Sequence, residues 1–276
     1  MRGLVAVAVA AVGLLNGCGT RDSTAMPGAG TTQAGFAAFD KVVLYRHDFS
    51  DGPGGWHTVM LDVDPSRPPA NALACFTEGI KTNCYVPVNT VDGHMLLESP
   101  WFHDPNHAPP GAGYLSLLTF VYLRGFAGAD TAQLPELDLR GLLLRVSMKT
   151  EHLDVKEGSL YFWFQMLAPD GKWVNYAYTA RPLNVSLRDE GFTEVRLRFI
   201  SDPGSWTCLG SSEVRADFYG CIPLEEAMSH VNGDFGFVIL PVNENPLEEL
   251  QPSGKIALQW IELSAGGPIV DPLPDL

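Results

Sequence analysis

The chain has 276 residues, 46% of them hydrophobic and 18% charged, and a formal net charge of −14. This length supports one domain with a full core once short terminal segments are set aside. The negative balance argues against nucleic acid and anionic surfaces as partners, because both repel an acidic protein.

Met1-Arg2 is followed by a small apolar run, Gly3 to Leu15, which ends in Leu15-Asn16-Gly17-Cys18. A single positive charge, an apolar stretch too short to span a bilayer and a small residue at its end make residues 1–18 a secretory signal. The ending resembles the lipobox of bacterial lipoproteins. That resemblance implies that Cys18 becomes the lipidated first residue, that the membrane is met only through this anchor, and, with Gly19 next, that the protein reaches the outer membrane or cell surface. Cleavage by an ordinary signal peptidase is the alternative. Residues 19–39 are Gly, Ala, Thr, Ser and Pro with few large apolar side chains, the composition of a flexible tether. Residues 40–265 form the domain, and 266–276 a Pro-rich tail.

With Cys18 set aside, Cys75, Cys84, Cys208 and Cys221 remain, and four cysteines allow three pairings. Sequential pairing closes two short loops in an oxidising compartment, each bridge worth roughly 3 kcal/mol. Neither pair has the CxxC spacing of a zinc site.

Beyond the tether the chain alternates apolar and polar residues in short runs bounded by Gly, Pro, Asn or Asp, which predicts strands. The first four are Lys41–Phe49, Met95–Ser99, Tyr114–Leu123 and Leu139–Lys149. Gly158–Thr179 is the clearest hairpin, its turn Ala168-Pro169-Asp170-Gly171 placing Pro where φ is fixed and Gly where φ turns positive. This turn puts Phe162 opposite Tyr178, Phe164 opposite Tyr176 and Met166 opposite Val174, an apolar face for the core. The other face carries Tyr161, Trp163, Gln165, Trp173 and Asn175, aromatic rings interleaved with amides. Such a face suits a flat polar ligand such as a sugar; a covering loop or second layer would account for it equally well. Phe192–Ile200 turns Val195, Leu197 and Phe199 inward and Glu194, Arg196 and Arg198 outward. Phe235–Val242 is apolar on both faces, as in a central strand covered twice. Ile256–Leu263 closes the sheet with Trp260 on its core face, and only Pro223–His230 reads as helical. The whole is all-β: a two-sheet antiparallel β-sandwich, a jelly roll, with at most one short helix.

Asp48-Phe49-Ser50-Asp51-Gly52 with Trp56, and the closing run Gly254 to Leu263, resemble the two ends of galactose-binding-like β-sandwiches, a group holding many carbohydrate-binding modules. The resemblance implies glycan binding without catalysis, no required cofactor, and a structural calcium on Asp48 and Asp51. Gln259 stands where those sandwiches carry a final-strand acid.

No paired strand carboxylates of a glycoside hydrolase, no nucleophile elbow and no phosphate-binding glycine loop is present. His94, His103, Asp104 and His107 gather around a Pro-rich loop, which reads as a polar surface loop rather than a metal site, since the prolines forbid the helix that would align the rings. Trp56, Trp101 and Trp206 fall beside turn residues, where such rings plug the ends of the core or stand half exposed to stack on sugar faces. The expectation is a polysaccharide-binding protein in which Tyr161, Trp163 and Trp173 stack on sugar rings while Gln165, Asn175, Glu194 and Arg196 bond hydroxyls. A hydrolase or lyase using Glu194 or Tyr161 with the arginines is the alternative, as is an envelope protein whose aromatic face meets a protein partner.

Overall fold

Short alternating runs leave little choice but strands, and the computed structural model, which describes residues 41–78, 81–104, 107, 114–124, 135–242 and 251–266, has sixteen of them. The signal, Cys18, the tether and residues 267–276 lie outside the described residues. The first eight strands are β1 (Val42–His47), β2 (Trp56–Met60), β3 (Ala74–Glu78), β4 (Lys81–Pro87), β5 (Asn89–Val91), β6 (His94–Glu98), β7 (Phe102–Asp104) and β8 (Tyr114–Tyr122). There follow β9 (Leu143–Asp154), β10 (Ser159–Leu167), β11 (Trp173–Tyr178), β12 (Thr193–Arg198), β13 (Trp206–Cys208), β14 (Tyr219–Gly220), the helix α1 (Leu224–Ser229), β15 (Asp234–Val242) and β16 (Ser253–Ala265).

A six-stranded sheet runs β12-β9-β16-β6-β5 with β1 also on β16, and a ten-stranded sheet runs β13-β11-β10-β15-β8-β2-β4-β3 with β14 along β11 and β7 along β8. All neighbours are antiparallel except β14 and β11. The inner faces share one core that includes Leu144 and Phe199 from the smaller sheet and Trp56, Phe162, Phe235 and Phe237 from the larger. Each fully buried side chain of this size contributes about 1.5–3 kcal/mol from area removed from water. Trp56 joins the sheets: its ring stacks on Phe237 at 6.0 Å, and its Nε1–H donates to Tyr45 Oη of β1 at 2.7 Å.

The β10–β11 hairpin has the expected register, with Phe164 opposite Tyr176, Gln165 opposite Asn175 and Met166 opposite Val174. Gly171 takes φ 86° and its N–H closes the turn on Ala168 O at 2.9 Å. On β15 the two-faced pattern is realised: Phe235, Phe237 and Ile239 enter the main core, while Val238 and Leu240 join a second apolar cluster on the outer face with Trp163, Phe120 and Leu115.

Cys75 and Cys84 are directly opposed on the β3–β4 hairpin and bonded, and Cys208 is bonded to Cys221, the sequential pairing. Two expectations need correction. Trp56 is the first residue of β2 and lies wholly in the core, as fully as any strand residue. Trp260 faces outward: the register of β16 shifts between Leu258 and Trp260, so Leu258 and Ile261 both point inward and Trp260 lies between the guanidinium groups of Arg46 and Arg145 at 5.6 and 5.3 Å. A bulge reverses the parity that alternation extrapolates. Trp101 and Trp206 are buried, as plugs require.

Gly236 sits between Trp163 of β10 and Phe120 of β8 in register. A Cβ there would lie 2.1 Å from Thr119 O and 2.7 Å from Phe120 Cα. Backbone cannot yield as a side-chain tip can, so Gly236→Ala is expected to lower unfolding free energy by about 2 kcal/mol or more in denaturant titration. A neutral result would contradict this packing of β15 against β8.

Candidate ligand cavity on the ten-stranded sheet

Period-2 alternation places Trp163 and Gln165 of β10 and Trp173 and Asn175 of β11 on the sheet's outer face. There they line a cavity of about 370 Å³. Its floor continues across β15 and β8 through Asp234, Val238, Phe120 and Tyr122. Tyr85 of β4, Asp104 of β7, His107, Leu209 and Tyr219 of β14 supply the walls. Leu209 and Tyr219 belong to the loop closed by the Cys208–Cys221 bridge, so that disulfide holds two wall residues against the hairpin. The open platform and the covering layer weighed from the sequence are thus both partly realised, as a walled recess.

Several polar groups in the recess have no protein partner among the described residues. Asn175 is 1% exposed; its Oδ1 accepts from Gln165 Nε2 at 3.0 Å, while its Nδ2 is sealed from solvent without an acceptor. Trp163 is 5% exposed, and its Nε1–H has no acceptor. Asp234 is partly accessible as a residue, yet its Oδ1 is sealed and accepts nothing, and burial pushes its carboxyl up to about 8. An unpaired buried donor or acceptor costs about 1–3 kcal/mol, so such groups concentrate where something else is to be bound. On the wall, His107 packs its ring edge on Tyr219 at 4.6 Å. Its Nδ1 lies 2.9 Å from Gly210 O, and a carbonyl can only accept, so Nδ1 carries the proton. Its Nε2 faces Asp104 Oδ2 at 3.9 Å.

Of the residues singled out from sequence, Trp163, Gln165, Trp173 and Asn175 come together here. Tyr161 shares their face but packs against the outer apolar cluster, outside the cavity lining. Glu194 and Arg196 are elsewhere: β12 is an edge of the six-stranded sheet, so the sandwich core separates them from the recess. Glu194 Oε1 accepts from Arg145 Nε at 2.8 Å and from Arg196 Nε at 2.7 Å. The Arg145 hydrogen bond chiefly, and then that of Arg196, hold its carboxyl below the usual range against the opposing effect of burial. Of the alternative enzyme constellation, Glu194 and the arginines share β12, while Tyr161 lies on β10 of the other sheet.

The calcium that the sequence resemblance implied would fall to Asp48 and Asp51. Asp48 Oδ1 accepts from Ser50 N at 3.2 Å and Ser50 Oγ at 2.7 Å, Asp51 is exposed, and Gln259 Oε1 accepts from Ser147 Oγ at 3.0 Å. Among the described residues no three His, Cys, Asp or Glu side chains are grouped to hold a metal. His94 is on the other sheet, its ring 4.7 Å from that of Phe192, and His103 and Asp104 line different cavities.

Sequence reasoning missed Tyr85, Tyr122 and Asp234. The first two lie on strands whose place beside the hairpin no local pattern encodes. Asp234 did carry a signal, since it precedes a run apolar on both faces, where a carboxylate is out of keeping.

No protein-family model matches the chain, and no curated protein matches it in sequence. A solved xylan-binding module CBM15 is similar in structure with a TM-score of 0.33 and 9% identity, over 81% of this chain and 97% of that one.

The state of Asp234 gives a stability test. A carboxyl ordinarily titrating near 4 and raised to about 8 in the fold contributes stability below about pH 4 that is lost as pH rises through about 8. Asp234→Asn should therefore raise Tm relative to the native protein at about pH 8 and change it little at about pH 4. A lower Tm for the variant at the higher pH would contradict the burial of an unpaired carboxyl.

Proposed function

We propose that this chain is an exported, lipid-anchored protein that binds glycan, without cutting it, in the recess on the ten-stranded sheet. The observation that carries the reading is the pairing of two flat indoles, Trp163 and Trp173, with two buried N–H donors that lack acceptors, Trp163 Nε1 and Asn175 Nδ2. A sugar ring offers both complements: a C–H face that packs on an aromatic ring, and hydroxyl oxygens that accept from such donors. The recess has the size of a small-ligand site, and its concavity suits a ring or chain end better than a protein surface. Two disulfides accord with an oxidising compartment outside the cytoplasm, and Cys18 supplies the anchor.

The test is retention on a glycan array, followed by calorimetry with the retained glycan. Trp173 is the half-buried indole, so Trp173→Ala can be read without unfolding the hairpin, whereas Trp163→Ala would remove a buried side chain at a cost of about 3–5 kcal/mol. Loss of an anchoring aromatic should weaken affinity by roughly 30-fold, the equivalent of about 2 kcal/mol, with little change in Tm. Undiminished binding would remove the recess from the account. Because Asp104 and Asp234 line the same recess, reducing ends are measured in parallel. None is expected, and release abolished by Asp104→Asn would make the protein a hydrolase.

A further inference from the structure

The charge in the recess is one-sided. Asp234 approaches from β15 and Asp104 from β7, and no Lys or Arg is among the described lining residues. The other titratable groups of the lining are the phenols of Tyr122 on β8, Tyr85 on β4 and Tyr219 on β14, together with His107. Just past β8 the exposed Arg124 acts on the Tyr122 phenol against Asp234, but it is not among the lining residues. His107 Nδ1 is committed to Gly210 O, and its Nε2 faces Asp104. Asp234 is therefore a carboxylate with a sealed, unpartnered oxygen in a ligand-sized recess.

A buried carboxylate without a cation is resolved in one of two ways, by taking up a proton or by taking up a positive ligand. The surrounding rings favour the second, because the lining includes Trp163 and Trp173, and an indole attracts a cation placed over its ring. The buried donors on Asn175 and Trp163 ask in addition for oxygen acceptors on the same ligand. A ligand with a carboxylate of its own would set a negative charge beside Asp104 and hold Asp234 protonated, and a wholly neutral one would leave Asp234 protonated as well.

We infer that the sugar taken by this recess bears a free amine, bound as an ammonium against Asp234, with its hydroxyls on Asn175 and Trp163. The inference rests on glycan binding at this recess and names the class of glycan. It entails a proton balance. In the unliganded protein Asp234 holds a proton below about pH 8, and the ammonium displaces it to solvent. Affinity should consequently rise with pH, by roughly tenfold per unit from about pH 4 to 6, where the sugar amine is charged.

The experiment is calorimetry on the mature chain in detergent, at raised salt to screen the general attraction of an acidic protein for a polycation. The probes are a glucosamine oligomer, its N-acetylated form and the matching glucose oligomer. The amine oligomer should bind at least about tenfold tighter than the other two, a charged hydrogen bond being worth that much. Its affinity should rise with pH with release of one proton. Asp234→Asn should collapse the preference to less than about threefold and flatten the pH dependence, whereas Trp173→Ala should weaken all three probes. Equal or tighter binding of the acetylated or glucose oligomer overturns the amine assignment and leaves glycan binding in place. Failure of all three probes to bind, while the array retains some other glycan, overturns it in the same way. No binding here and a blank array with folded protein overturn both.

Discussion

A strand pair whose two faces are both apolar or aromatic has no side to give to water, and the β10–β11 hairpin is such a pair. Phe162, Phe164, Met166, Val174 and Tyr176 fill one face and are buried against the smaller sheet. The other face carries Trp163, which would expose a large hydrophobic surface were it left open. Its apolar neighbours on the same face, Leu115 and Phe120 of β8 and Val238 and Leu240 of β15, bury it sideways, and Leu209, fastened by the bridge beside it, begins a second layer above. Such a patchwork does not close completely. The gap that remains is the recess, and the groups left unpaired around it are those the second layer does not satisfy.

The two outer faces have been settled in opposite ways. On the six-stranded sheet, Arg46, Glu262, Arg145 and Arg196 stand in one row across four strands. Glu262 is 1% exposed, yet Lys41, Arg46 and Arg145 surround it. Burial alone would raise its carboxyl, and the hydrogen bond and charge of Lys41, with those of the arginines, bring it below the usual range instead. With Trp260 packed between two guanidinium groups, that face satisfies its own charges and presents little that asks for a ligand. Across the sandwich, Asp234 has no such company. The difference between Glu262 and Asp234, two acids on strands at the centre of their sheets, is that one is surrounded by cations and the other has a sealed oxygen without a partner.

Much of this is legible in local pattern. The turn at Pro169-Asp170-Gly171 sets the hairpin register, and the register sets which residues share a face, so Trp163, Gln165, Trp173 and Asn175 group together on sequence alone. The inward and outward sides of β12 are equally plain. What local pattern does not contain is which sheet a strand joins: Glu194 and Arg196 have the right parity and the wrong neighbours. Nor does it contain a bulge, which turns Trp260 outward although Leu258, two residues earlier, points inward. The strands β2 to β4 are short and interrupted, and their place beside β8 depends on contacts far apart in sequence, as does the arrival of Tyr85, Asp104 and Tyr219 at the recess. Walls built from distant segments are visible only once the sheet order is known.

The central claim is that the recess beside Trp163 is where a glycan is held, through donors that otherwise lack acceptors. The chain has six tryptophans, and each indole N–H gives its own nuclear magnetic resonance signal, as does the carboxamide of each asparagine. Titration of isotope-labelled protein with a glycan retained on the array would report on these groups individually. The account predicts that the Trp163 indole and the Asn175 carboxamide signals shift and become protected from exchange, while the indoles of Trp56 and Trp206, already bonded to Tyr45 and Ile200, stay in place. Shifts confined to Trp260 or Trp101, with Trp163 and Asn175 unmoved, would place the ligand elsewhere and contradict it.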